Sequence, residues 1–341
     1  MRPDLEAHIR HLLAADGVSA GDLVDSSGLE SALESAGDIG ADAVDRVERH
    51  QPVPPYLEDA LEAIVLPKLR PVYDIHDDTF NDCSTPWTEL NNHRDKLSKA
   101  IRSIGRVDAF GLDIPYAGTA FLVGKGVLLT NRHVAAIFTD GLGVKGLKFK
   151  FGIQPEIDLK QEIHSDDEVL LEIKETLLIH PYWDAALLKV EGFPDDREPL
   201  RLAVTAPSEL QGRLATIVGY PARDPRNDLD MQKKIFRVFE KKRLQPGRTM
   251  AMKQCVSFGN TVEALAHDCS TLGGNSGSAL IDVETGQVLG LHFSGEYLKA
   301  NYAVPAWELA LDPKVVDFGV NFEKAPEPKA APAWLNAWTN R

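Results

Sequence analysis

The sequence predicts a mainly β fold preceded by an N-terminal helical extension. From residue 105 onward, short apolar runs such as GTAFLVGKGVLLTN, LATIVGY and GSALIDVETGQVLGLHFSG are separated by Gly, Asp and Asn. Such spacing of short strands and turns is typical of an all-β domain. Ahead of them, PDLEAHIRHLLAA, GLESALESA and YLEDALEAIVL place apolar residues three and four apart, which predicts amphipathic helices.

The composition restricts the class of partner. The chain has 341 residues, 43% of them hydrophobic, and a net charge of -14. An acidic protein is poorly suited to nucleic acid or anionic membranes, which attract Lys and Arg, so we expect protein or peptide partners. The sequence shows no apolar stretch typical of a signal peptide or a membrane span, and we expect a cytoplasmic protein. Three scattered cysteines predict reduced thiols, and we expect no metal and no cofactor.

Residues 1–70 are predicted to form an acidic helical adaptor or regulatory region that could bind a regulatory protein. They contain 14 Asp and Glu residues against six Lys and Arg. Prolines in HQPVPP, residues 50–55, predict a joint because they interrupt helices. Residues 71–103 are predicted to be a linker segment with a helix, PWTELNNHRDKLSKAIRSI, that packs on the β domain.

The C-terminal part is predicted to close with a short helix in NYAVPAWELALDPKVVDFG, followed by a Pro/Ala-rich tail over 321–341 with little to bury. Trp334 and Trp338 lie four apart. We expect them to pack on the β domain, with partner binding as the alternative. The basic run 233–248 alternates apolar and charged residues, which predicts a hairpin with one solvated face rather than a nucleic-acid site.

Three motifs in the β-rich part carry residues suited to nucleophilic catalysis. LLTNRHVAAIF contains His133, IHPYWDAALLKV contains Asp184, and DCSTLGGNSGSALI contains Ser276. A serine hydroxyl is a weak nucleophile at neutral pH and needs a histidine to accept its proton. An aspartate on the far ring nitrogen would fix the histidine tautomer.

With its flanking strands, this order of His, Asp and Ser resembles the chymotrypsin-like (trypsin-superfamily) serine peptidases, over roughly residues 104–320. The branch it resembles is the bacterial, glutamyl-endopeptidase-like one. The resemblance implies a double six-stranded antiparallel β-barrel, with Ser276 as nucleophile, His133 as general base and Asp184 as its orienting partner. The glycines of TLGGNSGSAL allow a tight loop, in which the backbone N–H groups of Gly274 and Ser276 would bind the oxyanion.

The residue before the nucleophile departs from the family pattern. Trypsin-like members usually have an aspartate there, which pairs with a newly cut N-terminal ammonium, whereas this chain has the uncharged Asn275. We therefore expect no activation by that salt bridge. Residues 1–70 instead become the candidate regulatory segment.

The resemblance also bears on the residue that precedes the cleaved bond, called P1. Ser270 replaces the acid with which trypsin binds Arg or Lys, so a basic P1 residue is not expected. Thr271 and His292 resemble the pair with which glutamyl endopeptidases hold an acidic P1 side chain, although His292 could equally be a buried strand residue and Thr271 a loop cap. The other predicted cleft residues of GLHFSG are Phe293, Ser294 and Gly295, of which the last two would form the pocket wall and an edge for substrate backbone.

Two functions from different classes follow from the sequence. The first is a serine endopeptidase with an intact triad, with Glu or Asp as its candidate P1 preference. The second is a protease-fold binding or regulatory module with a blocked or autoinhibited cleft. Labelling of Ser276 by an organophosphonate would distinguish them.

Overall fold

The computed structural model describes residues 46, 69–224, 229–296, 300–329 and 332–339. Apart from Arg46, Leu69 and Arg70, the predicted adaptor region 1–70 lies outside these residues. The strands of the described part are β1 Tyr73–His76, β2 Thr79–Phe80, β3 Ile104–Phe110, β4 Gly118–Gly124, β5 Val127–Thr130, β6 Thr139–Asp140, β7 Lys148–Phe149, β8 Gln154–Asp158, β9 Leu170–Ile179, β10 Ala186–Val190, β11 Leu214–Gly219, β12 Arg243–Ser257, β13 Asn260–His267, β14 Ala279–Asp282, β15 Val288–Glu296 and β16 Ala300–Pro305.

Short helices lie between and after these strands. They are α1 Glu89–Asn92, α2 Arg94–Arg102, α3 Arg132–Phe138, α4 Leu229–Phe236, α5 Ala306–Leu311, α6 Pro313–Val316 and α7 Pro332–Thr339. None of the helices in these described ranges is long and apolar enough to span a membrane. The cysteines Cys83, Cys255 and Cys269 are all unpaired thiols, as predicted.

The first half of the β region is a closed barrel of six antiparallel strands in the order β10-β5-β4-β3-β8-β9. Every residue of β4 and β5 is buried, because these strands face the barrel interior on one side and further structure on the other. Val107, Leu122, Leu128 and Leu188 are among the side chains that fill this interior.

The second half is a sheet in the order β11-β14-β15-β16-β13-β12. Because β11 pairs with β12 as well as with β14, these six strands close a second ring. The predicted mainly β, double six-stranded antiparallel arrangement is confirmed. Strand β1 adds to β12 outside the ring through the pairs Tyr73↔Leu244 and Asp74↔Arg243.

The predicted helix before residue 105 is present as two short helices, α1 and α2, which meet at His93. Leu97 and Ile101 of α2 are buried in the larger core cluster, together with Trp87. This part of the predicted linker segment therefore packs on the β region through an apolar face.

The predicted hairpin over 233–248 is wrong. The chain is helical through Phe236, and only β12, from Arg243, is extended. Between them Arg237 and Glu240 have φ values of +57° and +64°, which a continuous strand does not allow. The alternation of apolar and charged residues thus spans a helix end and a turn.

The C-terminal tail contributes more to the core than its composition predicts. Trp334 of α7 is 2% exposed, and both Trp334 and Trp338 contact the ring of His180 edge to face. The expected packing of the two tryptophans on the β domain is confirmed. The closing helix is present as the two turns α5 and α6.

Candidate active site

Strand pairing brings His133 and Asp184 together. Thr130 at the end of β5 pairs with Ala186 at the start of β10, so the turn into α3 lies beside the segment that precedes β10. His133 Nδ1 lies 2.7 Å from Asp184 Oδ2. The backbone N–H of His133 donates to the other oxygen, Asp184 Oδ1, at 3.0 Å. Asp184 is buried while His133 keeps 38% of its side chain exposed, so one ring nitrogen is held and the ring still reaches solvent.

Asn131, two residues before His133, supports this pair. Its Nδ2 donates to the backbone carbonyl of Asp184 at 2.9 Å, and the residue is fully buried. The bond holds the Asp184 segment against the start of α3. No role for Asn131 was predicted from the sequence. The available signal was its place in TNRHVA, next to the candidate histidine.

The loop that carries Ser276 is fastened to the first barrel by Thr119 of β4. Thr119 N donates to the carbonyl of Ser276 at 2.8 Å, and Thr119 Oγ1 donates to the carbonyl of Gly274 at 2.8 Å. Thr119 is fully buried. Two carbonyls of the loop are thereby held by one residue of the other barrel, a role that the sequence analysis also missed.

Ser276 and the helix of His133 meet at Gly118. A Cβ at Gly118 would lie 2.8 Å from Val134 Cγ2 and 2.9 Å from the Ser276 carbonyl oxygen. Helix α3, which carries His133, and the loop that carries Ser276 therefore both lie beside Gly118 of β4. Within the described ranges, no hydrogen bond joins Ser276 Oγ to His133. Catalytic hydrogen bonds are often long in unliganded enzymes and tighten when substrate binds.

The two predicted oxyanion donors have free N–H groups. Gly274 has a φ of +83°, and its carbonyl is turned toward Thr119. Neither Gly274 N nor Ser276 N donates to a backbone or side-chain acceptor in the described part of the chain. Two free donors on one tight loop are what an oxyanion site requires.

Strand β15 offers an open edge beside this loop. Gly277 N donates to His292 O, and His292 N donates to Ser278 O, but beyond this point no described residue pairs with β15 on the side of the nucleophile loop. Ser294 and Gly295 are exposed. An extended peptide could pair with this edge as an added strand.

The remaining predicted pocket residues are partly engaged by the protein itself. Ser270 Oγ donates to the carbonyl of Arg70 at 2.8 Å, and Thr271 Oγ1 donates to Asn301 Oδ1 at 2.8 Å. Phe293 is buried in the larger core cluster. Thr271 is thereby joined to β16, the strand next to β15.

His292 forms a buried pair with His267, for which the sequence predicted no role. His267 Nε2 and His292 Nδ1 are 3.2 Å apart, and both residues are at most 3% exposed. Burial lowers the pKa of His267 to about 3. Burial, with His267 and His133 nearby, lowers the pKa of His292 well below its usual value. Both rings are therefore neutral at physiological pH.

The residues of this site show no arrangement suited to a metal ion. Within the described part of the chain, no group of three or more His, Cys, Asp and Glu side chains could hold one.

Comparison with solved structures gives low similarity. The active form of the Rv3671c protease from M. tuberculosis is 18% identical, with a TM-score of 0.46, and the match covers 73% of this chain and 91% of that one. A serine endoprotease from Yersinia pestis is also 18% identical, with a TM-score of 0.45 and 66% of each chain covered.

Similarity is higher at the level of sequence. A probable serine protease of Lysobacter enzymogenes is 29% identical over 237 residues, which cover 61% of this chain and 61% of that relative's length. The family model for the trypsin-like peptidase domain matches residues 118–291, just over half of the chain, and this stretch contains His133, Asp184 and Ser276. The chain therefore belongs to the trypsin-like peptidase domain family.

Proposed function

We propose that the protein is a serine endopeptidase whose triad is Ser276, His133 and Asp184. The observation that carries this proposal is the bidentate contact between Asp184 and His133, beside a loop that carries Ser276 and two free N–H donors. Family membership supports the reaction class. The substrate is a protein or peptide.

In the first half of the reaction, Ser276 Oγ attacks the carbonyl carbon of the cleaved bond while His133 Nε2 takes the hydroxyl proton. Asp184 accepts a hydrogen bond from His133 Nδ1–H, which leaves His133 Nε2 free to act as the base. The negative charge on the carbonyl oxygen is stabilised by the N–H groups of Gly274 and Ser276. Collapse of this intermediate breaks the C–N bond, and His133 passes its proton to the leaving amine.

In the second half, water attacks the acyl-serine ester while His133 accepts a proton from that water. The same two N–H groups stabilise the second oxyanion. The ester C–O bond then breaks, Ser276 recovers its proton from His133, and the new carboxylic acid is released.

Preference for Glu or Asp at P1 stays a prediction. It depends on Thr271 and His292, and the structure weighs against it in two ways. Thr271 already donates its hydroxyl proton to Asn301. His292 has its pKa lowered well below the usual value, so it supplies no positive charge to a carboxylate at neutral pH.

The second candidate is a protease-fold binding module with a blocked or autoinhibited cleft. The observation that favours it is the unformed hydrogen bond between Ser276 Oγ and His133 in the described part of the chain. Regulation through residues 1–70, alone or with a partner protein, is a proposal of the same kind. N-terminal sequencing of active protein would count against it if that region is always removed before activity appears.

Mass spectrometry of a complex peptide library tests the proposal directly. Wild-type protein is compared with Ser276→Ala, and cleavages present only with wild type are mapped. In parallel, a fluorophosphonate probe is added to both proteins. We expect cleavage and labelling with wild type alone. Labelling without cleavage would favour a reactive but blocked cleft, and absence of both would favour the binding module.

A further inference from the structure

A single side chain of the last strand crosses the space beside the nucleophile loop. Asn301 of β16 pairs with Gly295 of β15 on one side and with His267 of β13 on the other. Gly295 belongs to the exposed end of β15 that would receive substrate backbone. Asn301 therefore lies directly behind the surface on which a bound peptide would rest.

The amide of Asn301 is held at both of its ends. Its Oδ1 accepts a hydrogen bond from Thr271 Oγ1 at 2.8 Å, and its Nδ2 donates to the carbonyl of Cys269 at 2.7 Å. Both partners lie on the segment that leads into Ser276. The side chain thus reaches from β16 to the segment on the opposite side of the pocket.

Gly295 shows how closely the amide passes under β15. A Cβ built at Gly295 would collide with Asn301 Oδ1. The amide oxygen therefore occupies the space into which a side chain from β15 would point. Asn301 connects the two walls of the pocket, which are Thr271 on the loop side and Gly295 on the strand side.

This arrangement has a consequence for substrate choice, which rests on the proposed function. During attack by Ser276, the P1 side chain must enter the space between the loop and the end of β15. We propose that Asn301 determines specificity by closing this pocket at shallow depth, so that the enzyme cleaves after small uncharged side chains such as Gly, Ala and Ser.

Displacing the amide to admit a longer side chain would be costly. It would break both of the hydrogen bonds of Asn301 and leave the carbonyl of the buried Cys269 without its donor. Leaving a buried polar group without a hydrogen-bond partner costs more free energy than an average hydrogen bond contributes to stability. Among the described residues, the two histidines near the pocket, His267 and His292, are neutral and offer no positive charge to a Glu or Asp side chain.

The test is to incubate a peptide library with wild type, Asn301→Gly or Asn301→Ala and to compare the P1 residues after which each protein cleaves, which is its P1 profile. We expect wild type to cut after small residues. In both variants, the ratio of kcat/KM for Leu or Phe at P1 to that for Ala should rise at least about tenfold, as is usual when a pocket gains room for additional carbon atoms. Using two variants guards against one of them failing to fold, and circular dichroism checks this.

Asn321→Gly is the matched control, because Asn321 also donates its amide to a backbone carbonyl, that of Pro199, but is not among the pocket residues. Its P1 profile should match wild type. Efficient wild-type cleavage after Arg, Phe or Glu, or folded Asn301 variants with an unchanged profile, would overturn the inference while leaving a Ser276-dependent peptidase intact. Absence of Ser276-dependent cleavage in every protein would overturn the proposed function and the inference with it.

Discussion

Gln245 Nε2 donates a hydrogen bond of 3.1 Å to Asn275 Oδ1, so strand β12 holds the residue immediately before the candidate nucleophile. Both side chains are fully buried. The position immediately before the candidate nucleophile is thus filled by a neutral amide that bonds to another neutral amide. A pair of this kind requires no ammonium partner, which agrees with the expectation that activation by a new N-terminus is not used.

Replacing Gln245 by Met should therefore loosen the nucleophile loop. Asn275 would keep its buried amide but lose its donor, and we expect a loss of about 1–3 kcal/mol in the free energy of unfolding. We also expect kcat to fall more than KM rises, because Gly274 and Ser276 flank Asn275. Urea unfolding and steady-state kinetics measure the two effects. Unchanged values for both would show that this hydrogen bond does not hold the loop.

Alanine substitutions at two adjacent glycines of the loop, Gly273 and Gly274, should have different effects on kcat. Gly274 has a φ of +83°, and a Cβ there would collide with Tyr116 Oη and Tyr220 O. Gly273 has no positive φ, and its Cβ would meet no described atom within 4 Å. Because alanine fits neither the φ of Gly274 nor the space there, Gly274→Ala should move the N–H away from the oxyanion, and we expect kcat to fall by roughly two to three orders of magnitude, the usual effect of losing an oxyanion donor.

Gly273→Ala is the matched control for that substitution and should stay within a few-fold of wild type in kcat. The comparison shows whether the loss of kcat in Gly274→Ala comes from the left-handed backbone of that residue or from adding a side chain anywhere in the loop. Equal losses in the two variants would contradict the assignment of Gly274 to the oxyanion site.

Asp184→Asn should remove most catalysis without unfolding the protein. With an amide at this position, the tautomer of His133 that leaves Nε2 as a base is no longer favoured, and enzymes with this triad lose roughly 10⁴ in kcat from such a change. Asp312→Asn is the control, because Asp312 also bonds to a histidine, His180, at 3.0 Å. We expect Asp312→Asn to lower stability rather than the chemical rate. A similar loss of kcat in both variants would argue against the specific role of Asp184.

The sequence was sufficient to predict the strands because they depend on local patterns, and the contact between Asp184 and His133 agrees with the predicted triad, which stays a prediction. GTAFLVGKGVLLTN and GNSGSAL determine their strands and turns within a few residues. Thr119, Gln245 and Asn301 were missed because their roles depend on contacts between distant segments. Thr119 and Gly274, for example, are 155 residues apart in the chain, and no local motif marks such a pair.

The same limit explains the error over 233–248. Alternation of apolar and charged residues predicts a strand only where the backbone is extended throughout, and the left-handed Arg237 and Glu240 have no distinctive signal, since neither is Gly or Asn. The cytoplasmic location, membership of the bacterial, glutamyl-endopeptidase-like branch and the regulatory role of residues 1–70 stay predictions.

The C-terminal helix should stabilise the segment that leads to Asp184. Trp338 Nε1 donates to Asp312 Oδ2 at 2.8 Å, the same carboxylate oxygen that bonds to His180. Trp338→Phe keeps an aromatic ring but removes the N–H, and we expect a loss of about 1 kcal/mol in the free energy of unfolding. Leu335→Ala, at an exposed position of the same helix, serves as the control and should change little in urea unfolding. An equal loss in both variants would point to the helix in general rather than to this bond.

The buried pair of His267 and His292 should make the protein less stable in mild acid. Burial lowers the pKa of His267 from 6.5 to about 3 in the folded protein, so above pH 6.5 both the folded and the unfolded states are neutral at this residue. As the pH falls below 6.5 the unfolded chain binds a proton that the folded chain cannot, and stability is lost until about pH 3. By pH 5.0 this amounts to roughly 2 kcal/mol for His267 relative to pH 7.5, and the lowered pKa of His292 acts in the same direction.

Urea unfolding of wild type and His267→Gln at both pH values measures the effect. The variant should lose less stability than wild type on acidification, whereas equal losses would show that His267 is not the titrating group.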